Sequence, residues 1–397
     1  MSAIVLDGHL KSALSAVRSL GVSGVTVVCG AERSSAMTCH SKYVQTRFVY
    51  TSPKKNQTEF VDEVKKQAQA LLARDGEKPV IFCFSDATMC TLAQRYTDLQ
   101  EYIIISMPSL QSFETAADKQ RTYELAQKLQ VPRIETYSET EFANVTYPAV
   151  VKNRHSIVWK NGVGISGSAT FVFSLVELQK VYNAIKMETE ESPLVQKFIR
   201  GAEFGIEMVC KEGTILASFA HERIRSLSPR GGAAVVKRTA EETPEVVLMR
   251  QYATRIVQEL VWTGPIMVEF KIDSATREVV LMEINGRFWG SLPLAIKAGV
   301  DFPMIAYLQA LQKDEVLKLE ALEPRHVRTR HFLGDVKWLL AVFFARDKMR
   351  PILYPWRLRA WWDFKIEIFR SRGDIFDIHD LKPSFMEYID FCLKIRK

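Results

Sequence analysis

The sequence predicts an α/β unit with a doubly wound parallel sheet, followed by an α+β unit with an antiparallel sheet. Apolar strand-like runs and helically periodic segments alternate over residues 1–110, which is typical of a parallel sheet with crossover helices. From about residue 190 the alternation ends and strands follow one another directly, which favours antiparallel pairing. The 397 residues include 47% hydrophobic and 25% charged side chains, an ordinary globular composition.

The first unit contains strands predicted at 3–6, 25–28, 80–84 and 103–106, and helices predicted at 10–20, 60–72 and 87–99. Ligands of such sheets bind beyond the carboxyl ends of the strands, which here are Asp7-Gly8 and the segment around Asp86. The first turn has one glycine where a dinucleotide fingerprint needs three, so a dinucleotide is disfavoured. Asp86 is explained equally well by capping of the following helix.

The middle of the chain predicts a helix at 112–130 that carries Lys119, and a strand at 149–152 that ends in Lys152. A glycine-rich segment with Gly164 and Gly167 follows and leads into another strand rather than a helix. Such a hairpin can bring backbone amides close to a phosphate. A flexible hairpin without a ligand is the alternative.

A helix is predicted at 175–187. The second unit, from about residue 190 to 312, contains a helix predicted at 244–261 and strands predicted at 193–198, 204–210, 214–221, 266–273 and 279–285. The last two strands form a hairpin with a polar turn. If that turn is centred on Thr276, Glu269 lies directly across from Glu283, and Asn285 shares their face. Like charges about 5 Å apart destabilise a sheet, so we expect a positive group between them.

Two carboxylates and an amide oxygen suit Mg²⁺, and Arg287 adds a planar cation for a phosphate or a carboxylate. The alternative is a pair of solvated glutamates, since a change of register by one residue would put them on different faces. His221, Arg223 and Arg225 alternate along one strand and share a face. They are candidates to anchor an acidic substrate, with an exposed basic strand face as the alternative.

Composition restricts the function classes further. The net charge of +7 favours anionic ligands, but no recognised nucleic-acid module accompanies it, so we expect no nucleic acid. The six cysteines show no C-x-x-C spacing, which argues against a zinc site. No Ser-His-Asp or Cys-His set is visible, so we expect no covalent nucleophile. The N-terminal residues lack the features of a secretory signal, and we expect a cytoplasmic protein.

Four features stand in a definite order: Lys119, Lys152, the segment Q-K-F-I-R-G-A-E at 196–203, and E…E-I-N-G-R from Glu269 to Arg287. This order resembles the ATP-grasp superfamily of carboxylate–amine and carboxylate–thiol ligases. Residues 287–303 are similar to a carboxylate–amine ligase-like subgroup that includes the pyrrolysine-pathway ligase and members of surface-polysaccharide clusters. The resemblance covers roughly residues 1–312.

Residues 313–397 lie beyond the resemblance and are expected to form a basic, aromatic, mostly helical extension. The resemblance implies a pre-grasp α/β domain at 1–110, a small grasp lobe at 111–190 and a large lobe with the Mg²⁺ and ATP site at 191–312. It also implies roles for individual residues. Those that contact phosphates are Lys119, Lys152, Gly164 and Gly167. The residues implied to bind the nucleoside are Gln196, Lys197 and Ile199 for adenine and Glu203 for ribose. Those that hold Mg²⁺, or Mn²⁺ in its place, are Glu269, Glu283 and Asn285.

The implied activity is ATP-dependent ligation of a small-molecule carboxylate to an amine through an acyl phosphate, with release of ADP and phosphate. Arg287, Arg223 and Arg225 are then the candidate catalytic residues. Two alternatives stay open: a nucleotide-binding, membrane-associated interaction protein without turnover, and phosphoryl transfer that ends at a phosphorylated product. A homodimer also stays open.

The extension has two interpretations. Residues 330–372 combine lysine and arginine with Trp338, Trp356, Trp361 and Trp362. They form either an interfacial segment at an anionic membrane or helices whose aromatic faces dock on the preceding domain.

Overall fold

The computed structural model describes residues 2–313, 324–346 and 348–395. It confirms an α/β unit followed by an α+β unit. The elements of the first unit are β1 Ser2–Val5, α1 Lys11–Val22, β2 Thr26–Ala31, β3 Val44–Val49, α2 Gln57–Asp75, β4 Val80–Phe82, α3 Asp86–Gln94 and α4 Tyr96–Leu99, with a 3-10 helix at Met37–His40.

The sheet of the first unit is parallel, in the order β3-β2-β1-β4. Sequence patterning missed β3, because its residues are largely exposed and mixed in polarity at the edge of the sheet. The strand predicted at 103–106 is reduced to a bridge between Ile104 and Val80. Asp7, in the turn after β1, has its hydrogen-bond partners within the first unit. Its carboxylate accepts from the backbone amides of Phe84 and Ser85.

The helix predicted at 112–130 is two helices, α5 Leu110–Ala117 and α6 Lys119–Lys128. The break lies at Asp118, whose side chain accepts from the amides of Gln120 and Arg121 and so caps α6. Both halves favour helix, and the cap decides where the second one begins. Lys119 is therefore the first residue of α6.

A smaller antiparallel sheet follows, in the order β5-β10-β6-β9, beside a separate hairpin of β7 and β8. Its elements are β5 Thr136–Tyr137, β6 Ala149–Lys152, β7 Ile157–Lys160, β8 Val163–Ser166, β9 Ala169–Val172, α7 Leu175–Thr189 and β10 Leu194–Lys197, with a 3-10 helix at Glu139–Asn144. Because β10 pairs with β5 and β6, the chain leaves this sheet at residues 198–200 rather than at the predicted boundary of 190.

The larger sheet has the order β15-β14-β11-β12-β13-β16-β17 within the described residues. Its elements up to residue 313 are β11 Gly201–Lys211, β12 Thr214–Ser228, β13 Gly231–Thr239, α8 Pro244–Glu259, β14 Gly264–Asp273, β15 Val279–Asn285, α9 Leu292–Ala298 and α10 Phe302–Ala310. Glu269 pairs directly with Glu283, as predicted, and a register shift follows between Glu269 and Phe270.

The two faces of the larger sheet have different roles. Ile206 and Met208 of β11 point towards α8 and pack with its Met249 and Ile256 in the main core. Side chains alternate across a strand, so Gly205 and its odd-numbered neighbours point to the opposite face. That face carries the candidate site.

The extension is mostly helical, as predicted, but it also adds two strands to the larger sheet. Its described elements are β16 Arg328–Arg330, α11 Phe332–Phe344, α12 Arg350–Leu353, α13 Arg357–Arg370, β17 Arg372–Gly373 and α14 Lys382–Ile395. Residues 314–323 of the predicted extension lie outside the described residues. Trp338 and Val342 of α11 are buried, which agrees with the docked interpretation for this helix. No helix in the described ranges is long and apolar enough to cross a membrane.

Candidate functional site

A row of four paired residues crosses the larger sheet at the centre of the site. His221 of β12 pairs with Gly205 of β11, Gly205 pairs with Glu269 of β14, and Glu269 pairs with Glu283 of β15. A Cβ at position 205 would collide with the His221 ring. The glycine therefore makes room for the imidazole beside the two glutamates.

Polar groups compensate the paired glutamates in this structure. The Asn285 amide nitrogen donates to Glu269 Oε1 at 3.2 Å and to Glu283 Oε1 at 3.5 Å. Arg223 Nη2 donates to Glu269 Oε2 at 3.0 Å, and Lys119 Nζ lies 3.8 Å from Glu283 Oε2. The group that contacts both glutamates is thus the neutral Asn285 amide, and the positive charges of Arg223 and Lys119 lie at one glutamate each rather than between them.

The two glutamates respond differently to this environment. Burial raises the pKa of Glu269, although Arg223 opposes the rise. Burial acts in the same direction on Glu283, but Lys119 and Lys152 outweigh it and hold the pKa of that carboxyl below its usual value. The two adjacent carboxyls therefore hold their protons with different affinities, as coupled carboxyls in one site do.

The residues fit a magnesium ion by their chemistry. Among the described residues, no group of three or more His, Cys, Asp or Glu could hold a metal. The candidate set is instead two carboxylates and the Asn285 amide, and Mg²⁺ is held by one or two carboxylates together with substrate phosphates. The Asn285 amide nitrogen now faces the glutamates, and its oxygen accepts from Arg287 Nη2 at 3.1 Å. Ligation by Asn285 would therefore require its amide to turn over.

The two predicted lysines converge from different elements. Lys119 opens α6, and Lys152 ends β6. Tyr123, one turn after Lys119, connects them to the rest of the site: its hydroxyl lies 3.5 Å from Lys152 Nζ and donates to the Met282 carbonyl at 2.8 Å. Burial lowers the pKa of Lys152, against the opposing pull of Glu283 and Glu269.

The segment 196–203, called the hinge below, lies where the chain crosses from the smaller sheet to the larger one. Gln196 is buried, and its amide nitrogen donates to the Tyr123 hydroxyl at 2.9 Å. Lys197 lines the cavity, and its Nζ donates to Glu135 at 3.2 Å. Ile199 is buried in a small apolar cluster that includes Ile134. An apolar wall next to an oriented amide suits a flat heterocycle.

Glu203 lies at the outer end of the same sheet face. Its carboxylate accepts from Arg223 Nη1 at 2.9 Å and from Lys271 Nζ at 3.1 Å. Burial would raise the pKa of Glu203, but Arg223 and Lys271 outweigh it and lower that pKa. Arg223 therefore bridges Glu203 and Glu269.

Arg287 joins the hairpin to the first unit. Its Nε and Nη2 donate to the two carboxylate oxygens of Asp86 at 2.9 and 3.0 Å, a bidentate pair. Ser85 rather than Asp86 caps α3, so capping is not the task of Asp86. Burial alone would lower the pKa of Arg287, but Asp86 raises it well above the ordinary range. Arg287 is a fixed cation.

Arg225 pairs with an aspartate of the extension, whereas Arg223 pairs with Glu203 and Glu269. The Arg225 guanidinium pairs with the buried Asp335 at 2.5 Å and lies 4.0 Å from the centre of the Trp338 ring. His221 Nδ1 lies 2.9 Å from Glu207 Oε1. Both Arg225 and His221 still line the same cavity as Arg223, which is consistent with the shared face.

The two predicted glycines do not line this cavity in the structure. The Gly164 amide donates to the Lys54 carbonyl at 2.8 Å, and the Gly167 amide donates to the Ser156 carbonyl at 2.8 Å. The contact with Lys54 joins the hairpin of β7 and β8 to the first unit. Both glycine amides already have backbone acceptors. A phosphate contact for these glycines would require the hairpin to move.

A cavity of about 1030 Å³ contains nearly all the other predicted residues. One half is bounded by the hinge and the β6–β9 sheet. The other half is bounded by the β12–β13 turn and by the extension, which contributes Trp338, Leu353, Arg359, Ile366 and Arg370 among others. This volume lies at the upper end of the range for ligand pockets, about 300–1,000 Å³, and is large enough for a nucleotide.

Sequence analysis missed Tyr123, Lys271 and the wall from the extension. Tyr123 lies four residues after Lys119, so both share one helix face, and this spacing could have identified it. Lys271 lies two residues after Glu269 on one strand and shares its face. No local pattern identifies the extension, because its place depends on tertiary packing.

Comparison with known proteins agrees with this geometry. A family model described as "ATP-grasp in the biosynthetic pathway with Ter operon" matches residues 189–330. The carbamoyl phosphate synthase large chain of Clostridium acetobutylicum is 24% identical over 235 residues, which cover 58% of this chain and 22% of that protein. The chain thus spans less than a quarter of the length of this curated relative.

Two solved structures share the fold. The biotin carboxylase–beta-gamma-ATP complex from Campylobacter jejuni has a TM-score of 0.63 at 13% identity, covering 83% of this chain and 76% of that chain. The L-amino acid ligase from Bacillus licheniformis has a TM-score of 0.62 at 15% identity, covering 84% and 80%. At such identities the likeness establishes the fold alone. The family model that matches residues 189–330 agrees with the resemblance of the ordered motifs to the ATP-grasp superfamily.

Proposed function

We propose that this protein is an ATP-dependent carboxylate–amine ligase that forms an amide through an acyl phosphate and releases ADP and phosphate. One observation carries the proposal: Glu269 and Glu283 face each other across a hairpin, with the cations Arg223, Lys119 and Arg287 around them. This combination suits the transfer of a phosphoryl group more than simple binding of an anion, because cations alone would serve the latter.

The nucleotide would occupy the half of the cavity next to the hinge. Tyr123 holds the Gln196 amide nitrogen, which leaves the carbonyl oxygen to accept from an adenine amino group. Glu203, held by Arg223 and Lys271, would accept from the ribose hydroxyls. The biotin carboxylase of similar fold is a complex with beta-gamma-ATP, which supports a nucleotide in this cavity.

Glu269, Glu283 and Asn285 would hold Mg²⁺, or Mn²⁺ in its place. When bound, the metal neutralises charge on the nucleotide phosphates. Lys119 and Lys152 would neutralise charge on the same phosphates from the side of the smaller sheet.

The chemistry needs two steps. A substrate carboxylate oxygen attacks the γ-phosphorus, the bond to the β–γ bridging oxygen breaks, and ADP leaves. An amine then attacks the acyl carbonyl carbon, the bond to the phosphate oxygen breaks, and phosphate leaves with the amide as product. Arg287, fixed by Asp86, would orient the carboxylate and its acyl phosphate, and Arg223 would stabilise charge on the carbonyl oxygen. Arg225, in the cavity wall beside Trp338, would supply positive charge for an acidic substrate.

The test is incubation of the full chain with ATP, Mg²⁺ and pools of small carboxylates and amines. A ligase releases ADP and phosphate only when both pools are present. Release with one pool alone, together with a phosphorylated product, would favour phosphoryl transfer, and absence of release despite ATP binding would favour an interaction protein.

We predict that Glu283→Gln lowers turnover by more than about 100-fold, since loss of a metal ligand should exceed the effect of losing a residue that merely orients one. Glu278→Gln, in the exposed turn of the same hairpin, is the matched control and should retain the wild-type rate. A wild-type rate in Glu283→Gln would contradict the assignment of Glu283 as a metal ligand.

A further inference from the structure

Helix α13 presents two chemically different faces. Its inner side lines the candidate cavity with Arg359, Asp363, Ile366 and Arg370. Its outer side is open to solvent and strongly apolar. The helix therefore forms a partition between the cavity and the protein surface.

The outer face of α13 is defined here by Leu358, Trp361, Trp362, Ile368 and Phe369. Leu358 is 81% exposed, Trp362 61% and Phe369 89%. Spacings of four and seven residues place these three along one stripe of the helix. Single exposed apolar residues are normal on a protein surface, but a contiguous stripe marks an interaction surface.

The charges around this stripe are positive. Arg357 and Lys365 are exposed. Lys365 lies within the stripe, seven residues after Leu358 and four before Phe369, and its Nζ is 3.9 Å from the centre of the Trp361 ring. Arg359 and Arg370 on the cavity side are exposed as well. Of the two acidic residues of the helix, Glu367 is buried against Arg328. Asp363 is partly exposed, and its Oδ2 lies 3.8 Å from Arg359 Nε.

We propose that the outer face of α13 docks on an anionic membrane surface. A helix with tryptophan, phenylalanine and leucine on one face and nearby lysine and arginine lies in the plane of a membrane interface, and a lysine within such a face can extend its ammonium group to the headgroups. Its cations are attracted by anionic headgroups, and tryptophan favours that depth. A second copy of the chain fits less well, because a two-fold contact through this face would bring the same cations together.

Docking would place the candidate cavity about one helix diameter, roughly 10 Å, from the membrane surface. The inference does not rest on the proposed ligase activity, because it concerns the other side of the helix. If both hold, a substrate with an apolar portion could reach the cavity past Ile366 and Leu353.

The test is sedimentation of the full chain with vesicles of phosphatidylcholine alone and of an equal mixture of phosphatidylcholine and phosphatidylglycerol. We expect binding to the mixed vesicles, at least tenfold weaker binding to phosphatidylcholine, and release by salt. The double variant Trp362→Gln/Phe369→Gln should bind at least tenfold more weakly. The matched control is Val176→Gln/Met187→Gln, which changes two equally exposed residues on α7 and should bind like the wild type.

Three results would overturn the inference. The first is no binding to mixed vesicles at low salt, and the second is equal binding by the wild type and the α13 variant. The third is a wild-type dimer in light scattering that becomes monomeric in the α13 variant, without vesicle binding, since a second copy would then cover this face. Glu283→Gln should bind vesicles like the wild type, so failure of the ligase proposal and failure of docking are distinguishable.

Discussion

At the scale of single residues, the site depends on side chains that hold other side chains. The Tyr123 hydroxyl accepts from Gln196, lies within reach of Lys152 and donates to the backbone of β15. Burial raises the pKa of Tyr123 to about 12, so the hydroxyl keeps its proton. It is a positioning residue that sets an amide and an ammonium group in place for a nucleotide.

We predict that Tyr123→Phe weakens ADP binding about five- to thirtyfold, because one or two hydrogen bonds of about 1 kcal/mol each are lost. Titration calorimetry with ADP and Mg²⁺ measures the change. Tyr182→Phe removes a hydroxyl that bonds Glu139 on the smaller lobe and should leave ADP affinity unaltered. Equal ADP affinities of Tyr123→Phe and the wild type would show that the Tyr123 hydroxyl does not position groups that bind the nucleotide.

At the scale of elements, the break between α5 and α6 determines where Lys119 lies. Asp118 caps α6 and also accepts from Arg154 Nε at 2.7 Å. Burial would raise the pKa of Asp118, but Arg154 and the neighbouring His155 lower it. The ionised carboxylate thus fixes the start of the helix and one strand end of the smaller lobe.

We predict that Asp118→Ala lowers the free energy of unfolding by about 2 kcal/mol, through loss of the cap and of the partner of Arg154. Asp118→Asn keeps a capping oxygen and should cost about 1 kcal/mol less. Urea denaturation measures both.

The pH dependence has a definite sign. Because the folded pKa of Asp118 is depressed, its contribution is present above the unfolded value of about 3.9 and is lost as pH falls through the folded pKa. The advantage of the wild type over Asp118→Asn should therefore shrink below about pH 4. An advantage that grows on acidification would contradict this assignment.

At the scale of the whole molecule, a buried ionic triad joins the three parts of the chain. Asp374 of the extension accepts from Lys237 of the larger sheet at 2.5 Å and from Lys11 of the first unit at 2.6 Å. Burial lowers the pKa of Lys237 to about 7 even beside Asp374. The extension is therefore part of the folded core and not an appendage.

We predict that Asp374→Asn destabilises the protein by about 3–5 kcal/mol, since the buried Lys237 and the partly buried Lys11 both lose the carboxylate to which they donate. Thermal unfolding measures the loss. Asp75→Asn breaks the exposed pair with Arg74 and should change stability by less than about 1 kcal/mol. Similar melting temperatures for both variants would show that the triad is not a structural junction.

Patterns of short range explain which parts of the site the sequence could predict. The pairing of Glu269 with Glu283 follows from the centre of a short turn and the two-residue period of strands, and it is confirmed. The contact between Asp86 and Arg287 spans 201 positions, and no local pattern encodes such a distance. The same limit applies to the extension, whose helices were predicted but whose place beside the cavity was not.

The bidentate pair of Asp86 and Arg287 bears on how this chain can be recombined with its relatives. A substrate anion that reaches Arg287 meets a guanidinium whose fork is already occupied by a residue of the first unit. Exchange of residues 1–110 for those of another family member would preserve the site only if the incoming domain presents a carboxylate at the position of Asp86. An incoming domain must therefore match Asp86 as well as the Lys11 contact to Asp374.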